Sequence, residues 1–141
     1  MKEFFDTSVL IAAFQRDHVH HAASLRRFAA ATVGQSACAA HTLAEVYATM
    51  TAFPVRPMVS PEQTLLFIDE IRIRLKLISL TPQEYYDTIV SASDLKLLSG
   101  RIYDALILRS AQKSEAEAIY TLNLKHFQAI APALSQKICM P

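Results

Sequence analysis

The sequence predicts an α/β fold around a central parallel sheet, and three observations carry that expectation. Short apolar runs with the length of buried strands recur at residues 2–6, 36–40, 76–80, 118–122 and 137–140. Segments of helical period lie between them, as right-handed crossovers between parallel strands require. Several of those segments open on recognisable helix-start signals. With 141 residues, 52% of them apolar, the chain is long enough to bury a sizeable core and is expected to form one domain, residues 1–141. Two glycines and six prolines leave no room for a flexible linker.

The first run, Lys2-Glu3-Phe4-Phe5, ends in Asp6 and the hydroxyls Thr7 and Ser8. Either hydroxyl suits the N-cap of a short helix over residues 9–14, an apolar stretch. That stretch is the longest apolar run and falls far short of the ~20 residues that cross a bilayer, so a soluble cytoplasmic protein without a membrane is expected. Asp17 predicts the cap of a second helix to about residue 32, with His18, His20 and His21 as solvated first-turn residues. No carboxylate or cysteine stands at ligand spacing from them, which argues against zinc.

Gly34 interrupts the pattern before the strand at 36–40. Residues 41–50 read as a helix with Leu43, Val46, Tyr47 and Met50 on one face. Proline at 54 and 57 ends it within Phe53-Pro54-Val55-Arg56-Pro57. Ser60-Pro61-Glu62-Gln63 starts a helix to about residue 74, with proline at its first position and glutamine at its third. The run 71–77 alternates with period two, which also suits a strand, so the boundary at 74–76 rests on the helix needing room to cross the sheet. Thr81-Pro82-Gln83-Glu84 is a capping box for a helix to about residue 97. Ser99-Gly100 punctuates the chain, a helix follows over 101–113, and Asn123 suits the cap of a short helix to residue 129. Cys38 and Cys139, both in strand-like runs, are expected as buried thiols rather than a disulfide.

Four polar residues lie where a purely structural sequence places something else. Asp6 ends the first strand, Glu45 opens the helix after the second, Asp104 interrupts Ile102-Tyr103-Asp104-Ala105-Leu106-Ile107, and Asn123 follows the fourth strand. In an open parallel sheet the carboxyl ends of the strands share the edge where ligands bind. Carboxylates about 4 Å apart repel by about 4 kcal/mol at an effective dielectric of about 20, so such a cluster persists by holding protons or a cation. Oxygen donors suit Mg²⁺ or Mn²⁺. Each residue also has a local alternative. Asp6 and Asn123 suit helix caps, Thr42-Leu43-Ala44-Glu45 is itself a capping box, and Asp104 is an acid in a first helical turn. Only the shared edge favours the cluster.

Phe5-Asp6-Thr7-Ser8-Val9-Leu10, Thr42-Leu43-Ala44-Glu45-Val46, Ile102-Tyr103-Asp104-Ala105-Leu106-Ile107 and Thr121-Leu122-Asn123, in that order, resemble the successive motifs of PIN-domain ribonucleases. The group they are most similar to is the VapC-like toxins of type II toxin–antitoxin pairs. The resemblance implies a three-layer α/β/α sandwich with strand order 3-2-1-4-5 and a metal-dependent endoribonuclease leaving 5′-phosphate and 3′-hydroxyl ends. Asp6, Glu45 and Asp104 match the family's three principal acids, and Thr7, Ser8 and Thr121 match its neighbouring hydroxyls. Asn123 departs from a position where many members carry aspartate, which implies weaker binding of a second metal.

On this reading Asp6 and Asp104 hold Mg²⁺, or Mn²⁺, and Glu45 orients or deprotonates the attacking water. Arg101 and Lys125-His126 are candidate phosphate contacts, with solvated surface as their alternative. The resemblance further implies RNA as substrate, a homodimer, and an antitoxin lying along an apolar groove for which Leu10, Phe14, Phe28 and Tyr47 are candidates, with plain core as the stronger alternative for each. The net charge of +1 decides nothing about nucleic acid. A rival reading is a PIN-like module that binds RNA or protein with a site too weak for catalysis. A phosphatase with Asp6 as nucleophile is disfavoured because Ser8 stands where the second aspartate belongs.

Overall fold

A computed structural model describes residues 1–54 and 58–141. Five short strands, β1 (Glu3–Phe5), β2 (Ser36–Ala39), β3 (Lys76–Ile78), β4 (Ala118–Tyr120) and β5 (Ile138–Cys139), form one sheet in the order β3-β2-β1-β4-β5. Every neighbouring pair is parallel. Between them run α1 (Thr7–Phe14), α2 (His21–Ala30), α3 (Thr42–Thr51), α4 (Pro61–Arg74), α5 (Pro82–Asp94), α6 (Arg101–Ser114) and α7 (Leu124–Ile130).

The layers follow from strand pleat. Phe5, Cys38 and Tyr120 face one side of the sheet and pack with Leu10, Phe28, Val46, Met50 and Ile71 of α1 to α4. Their strand neighbours Phe4, Ala37 and Ile119 face the other side and pack with Ile107, Leu108 and Phe127 of α6 and α7. The strands are buried on both faces, which explains why they read as continuous apolar runs without alternation. Phe4 and Phe5 are fully buried, each worth about 2–3 kcal/mol of transfer free energy.

The order of strands fixes where a cavity opens. From β1 the chain moves outward through β2 to β3 with α1 to α4 on one face. It then returns to β4, on the other side of β1, with α6 and α7 on the opposite face. Right-handed crossovers demand that change of face. The switch falls between β1 and β4, the place where the carboxyl ends of an open sheet part to leave a crevice.

The helix-start signals at 60–63 and 81–84 form as complete boxes. Ser60 Oγ accepts the Gln63 N–H and Gln63 Oε1 accepts the Ser60 N–H, both at 3.0 Å. Thr81 Oγ1 accepts from Glu84 at 3.1 Å and Glu84 Oε1 accepts from Thr81 at 3.0 Å. Elsewhere the elements depart from expectation. Thr7 and Ser8 lie inside α1, with Asp6 at the N-cap. The second helix starts at His21 because the Asp17 stretch is a turned connector. There His18 N–H bonds Gln15 O at 3.0 Å and His21 N–H bonds His18 O at 3.0 Å.

The helix expected to reach residue 97 stops at Asp94. Lys96 adopts φ 56°, while Lys96 N–H bonds Ser93 O at 3.0 Å and Leu97 N–H bonds Ala92 O at 2.9 Å. This is a Schellman termination with lysine where glycine is usual, so the sequence carried no stop signal there. β3 and β4 each end two residues earlier than expected, at Ile78 and Tyr120. The stop read at residues 53–57 lies partly outside the described residues; α3 ends at Thr51. No helix among the described residues is long and apolar enough to cross a membrane. Both cysteines are free; Cys38 is buried, which pushes its thiol up to about 12, and Cys139 is half-buried.

Candidate functional site

Asp6 follows the last residue of β1, and its N–H continues the ladder to Tyr120 O at 2.9 Å. Its carboxylate is 2% exposed, and it makes no cap bond to α1. Instead Ser8 Oγ donates to Asp6 Oδ2 at 2.6 Å and Thr121 Oγ1 donates to the same oxygen at 2.8 Å. Each hydroxyl is itself aimed by a backbone N–H, Leu122 onto Ser8 Oγ at 3.0 Å and Asn123 onto Thr121 Oγ1 at 3.0 Å. Two relays from the β4–α7 turn thus fix Oδ2. Among the described residues no side chain donates to Oδ1, although the Thr7 N–H also acts on the carboxylate.

The first turn of α3 brings Glu45. Thr7 Oγ1 reaches Thr42 Oγ1 at 3.1 Å and Glu45 Oε1 at 3.4 Å, so α1 and α3 are stitched together below the carboxylate. Thr42 is interior to α3 and its hydroxyl serves this contact, not the capping box the sequence suggested. Asp104 enters from the first turn of α6. Asp6, Glu45 and Asp104 line one cavity of about 390 Å³, with Thr7, Ser8 and Asn123. Asn123 occupies the N-cap of α7 but makes no side-chain cap bond.

The charges in this cavity are unbalanced. Burial raises the pKa of Asp6 most; Ser8 and Thr121 pull it down, and Asp104 adds a further upward push. Burial, then the charge of Asp6, pushes Glu45 up to about 7. Burial also raises Asp104, against the opposing charges of His126 and Arg101. None of the three takes part in an ion pair among the described residues. Carboxylates stripped of part of their water and without an ion-pair partner among the described residues are poorly satisfied as anions.

The donor set fits a hard divalent cation by chemistry: oxygen only, negative, and held by hydroxyl relays of the kind that orient ligands. No group of three His, Cys, Asp or Glu side chains among the described residues stands arranged to hold a metal ion together. A cation held there would need Glu45 and Asp104 to move closer together, or oxygens from a substrate, to complete its shell.

Other sequence candidates fall differently. Arg101 and Lys125 do not line the cavity, and neither does His126, although Arg101 and His126 lie near enough to act on Asp104. Arg101 Nε is buried without a hydrogen-bond partner. His18 and His20, expected as solvated first-turn residues, instead line the acid cavity from the connector between α1 and α2. No sequence signal pointed there, because the connector's fold depends on bonds that no motif encodes. A separate groove of about 390 Å³ is lined by Phe14, Met50, Phe53, Val59 and Phe67, with Gln15, Arg16, Asp17 and His18, so His18 lines both cavities. Of the four candidate groove residues, Phe14 lines this one. Leu10 and Phe28 are core, and Tyr47 is exposed outside it.

Residues 4–131 match the family model described as the PIN domain. The fold is similar to VapC20 of Mycobacterium tuberculosis, a sarcin–ricin-loop-cleaving toxin, with a TM-score of 0.71 at 15% identity over 91% of this chain and 95% of that one. It is also similar to VapBC2 of Rickettsia felis, solved bound to a DNA fragment from its promoter, with a TM-score of 0.61 at 20% identity over 89% and 90%. Identities this low speak to fold alone. A search of curated protein sequences gives no match.

Proposed function

The chain belongs to the PIN domain family, and from that premise we propose that it is a divalent-cation-dependent endoribonuclease, the toxin of a toxin–antitoxin pair. The observation that carries the reading is the convergence of Asp6, Glu45 and Asp104 on one cavity without an ion-pair partner. Oδ1 of Asp6, the carboxylate of Asp104 and that of Glu45 are the groups that would hold Mg²⁺ or Mn²⁺. A divalent cation bound there supplies a nucleophilic water near neutral pH and offsets charge developing on the phosphate.

The chain's own residues supply the rest. Ser8 and Thr121 keep Asp6 in one orientation, which preorganises the site before substrate arrives. Glu45, which burial and Asp6 push up to about 7 in the metal-free protein, is the group that would orient the attacking water or accept its proton. Asn123 offers an amide oxygen to a ligand and an amide N–H to the RNA, without adding charge.

The partner in this reading is an antitoxin whose apolar segment occupies the groove along Phe14, Phe53 and Phe67, which shares His18 with the acid cavity. A homodimer is part of the same proposal. Asp6→Asn and Asp104→Asn proteins that keep their fold should lose Mg²⁺-dependent cleavage of total cellular RNA. Cleavage retained by either removes the mechanism.

A second reading is a PIN module that binds RNA or protein without cutting. It is favoured by the amide at Asn123 and by the lack of a ready three-ligand set. Calorimetric titration with Mg²⁺ and Mn²⁺ separates the two, since a non-catalytic site takes up neither ion even at millimolar concentration.

A further inference from the structure

The acid cavity presents a difficulty for an RNA strand. Its three carboxylates repel a phosphodiester, and a cation among them answers that charge on one side only. The non-bridging phosphate oxygens still need donors when the strand leaves water. No lysine or arginine is among the described residues lining the cavity. The hydroxyl hydrogens of Ser8 and Thr7 are already committed, to Asp6 and to Thr42 and Glu45. The remaining donors on the lining side chains are the Thr49 hydroxyl and the N–H groups of His18, His20 and Asn123.

Of these, His18 is preset. The backbone N–H of His20 donates to His18 Nδ1 at 3.0 Å. An accepting Nδ1 carries no hydrogen, so the neutral ring has its proton on Nε2. The same turn is tied to α1, because His21 Nδ1 donates to Ala12 O at 2.9 Å. His21 N–H further bonds His18 O at 3.0 Å. Ring, tautomer and connector are therefore fixed before any ligand binds, which lowers the entropy lost on binding.

We propose that His18 is an RNA-positioning residue, its Nε2–H donating to a non-bridging phosphate oxygen of the strand in the acid cavity. The assignment rests on the ribonuclease reading and adds a residue that carries no metal. The connector supplies a neutral N–H donor, and the sheet edge supplies the acids.

The test uses the full chain and a random-sequence RNA dodecamer with a 5′ fluorophore, titrated by anisotropy with Ca²⁺ in place of Mg²⁺ to slow cleavage. Mg²⁺ affinity is measured by calorimetry in parallel. His18→Ala should weaken RNA binding about tenfold, the worth of one hydrogen bond to a charged group. His18→Gln, whose amide nitrogen reaches the Nε2 position, should stay within about twofold of wild type, whereas His18→Asn, which reaches only the Nδ1 position, should not. Mg²⁺ affinity should not move in any of them.

Unchanged RNA binding in His18→Ala overturns the proposal, as does a folded His18→Gln protein that binds no better than His18→Ala. Parallel loss of Mg²⁺ and RNA affinity also overturns it, because His18 would then be supporting the acids. If wild type neither binds nor cleaves RNA, the ribonuclease reading falls and this one with it. If wild type cleaves and only the His18 results fail, this inference alone is lost.

Discussion

Replacing Glu45 by glutamine should make the metal-free protein more stable at alkaline pH while removing a group the proposed chemistry needs. Glu45 titrates at about 4.5 in the unfolded chain and about 7 in the folded one. Folding therefore takes up a proton between those values, and stability falls as pH rises through that interval. Below about 4.5 the penalty is absent, and above about 7 it is complete. A shift of this size is worth at most about 3 kcal/mol. Glu45 is half-buried, so solvent screening reduces this to about 1–2 kcal/mol.

Glutamine keeps an oxygen to accept the weak bond from Thr7 and carries no charge to repel Asp6. In EDTA at pH 8, Glu45→Gln should raise the unfolding midpoint by roughly 3–8 °C. The gain should fade toward pH 4.5, where wild-type Glu45 is protonated as well. Mg²⁺ should then raise the wild-type midpoint more than that of the variant, since a ligand stabilises only the state that binds it. Scanning calorimetry across pH, with and without Mg²⁺, reads all three. A variant less stable than wild type at pH 8, or a difference that does not change with pH, refutes the account of the cavity as an unbalanced acidic cluster.

Two further substitutions test the local geometry. Thr121→Val keeps the shape of a fully buried side chain but removes a donor from Asp6 Oδ2 and the acceptor of the Asn123 N–H. Urea unfolding should show a loss of about 1–3 kcal/mol, and no loss would mean that the relay does not hold the carboxylate. Lys96→Gly should raise stability by about 0.5–1 kcal/mol, the left-handed cost of lysine less the extra freedom glycine has when unfolded. A loss there would contradict the assigned φ of 56°.

What could be read in advance depended on whether the determining contacts were local. Ser60 with Gln63 and Thr81 with Glu84 bond across three residues, so their sequence spacing is their geometry. The strands were legible as apolar runs because both faces of the sheet are covered. Asp6, Glu45 and Asp104 were legible as a group because parallel topology alone sends strand ends and helix starts to one edge. The failures share a different cause. The connector at 15–20 folds through His18, His20 and His21 bonding to one another and back to Ala12, contacts that carry no composition signal. Asp17 therefore read as a cap, and the histidines as solvated. At Lys96 a lysine takes a backbone state whose usual marker is glycine, and the stop was missed for that reason.

The hydroxyl relays also bear on why Asp6 is tolerated in the core. A buried carboxylate without partners is expensive, yet two hydroxyl donors act on only one of its oxygens. A residue selected for stability alone would have both oxygens satisfied, or would be asparagine. The two hydroxyls fix the orientation of Oδ2, and no side chain takes Oδ1, the oxygen the proposed function gives to a cation. The same logic extends across the cavity, where Glu45 is raised largely by burial and by Asp6 itself. Asp104 pushes Asp6 up, and both push Glu45 up, on top of the burial that dominates all three shifts. Under the proposed function, the stability these unpaired acids cost is what would be recovered as affinity for a cation, a compromise of the kind found at working sites.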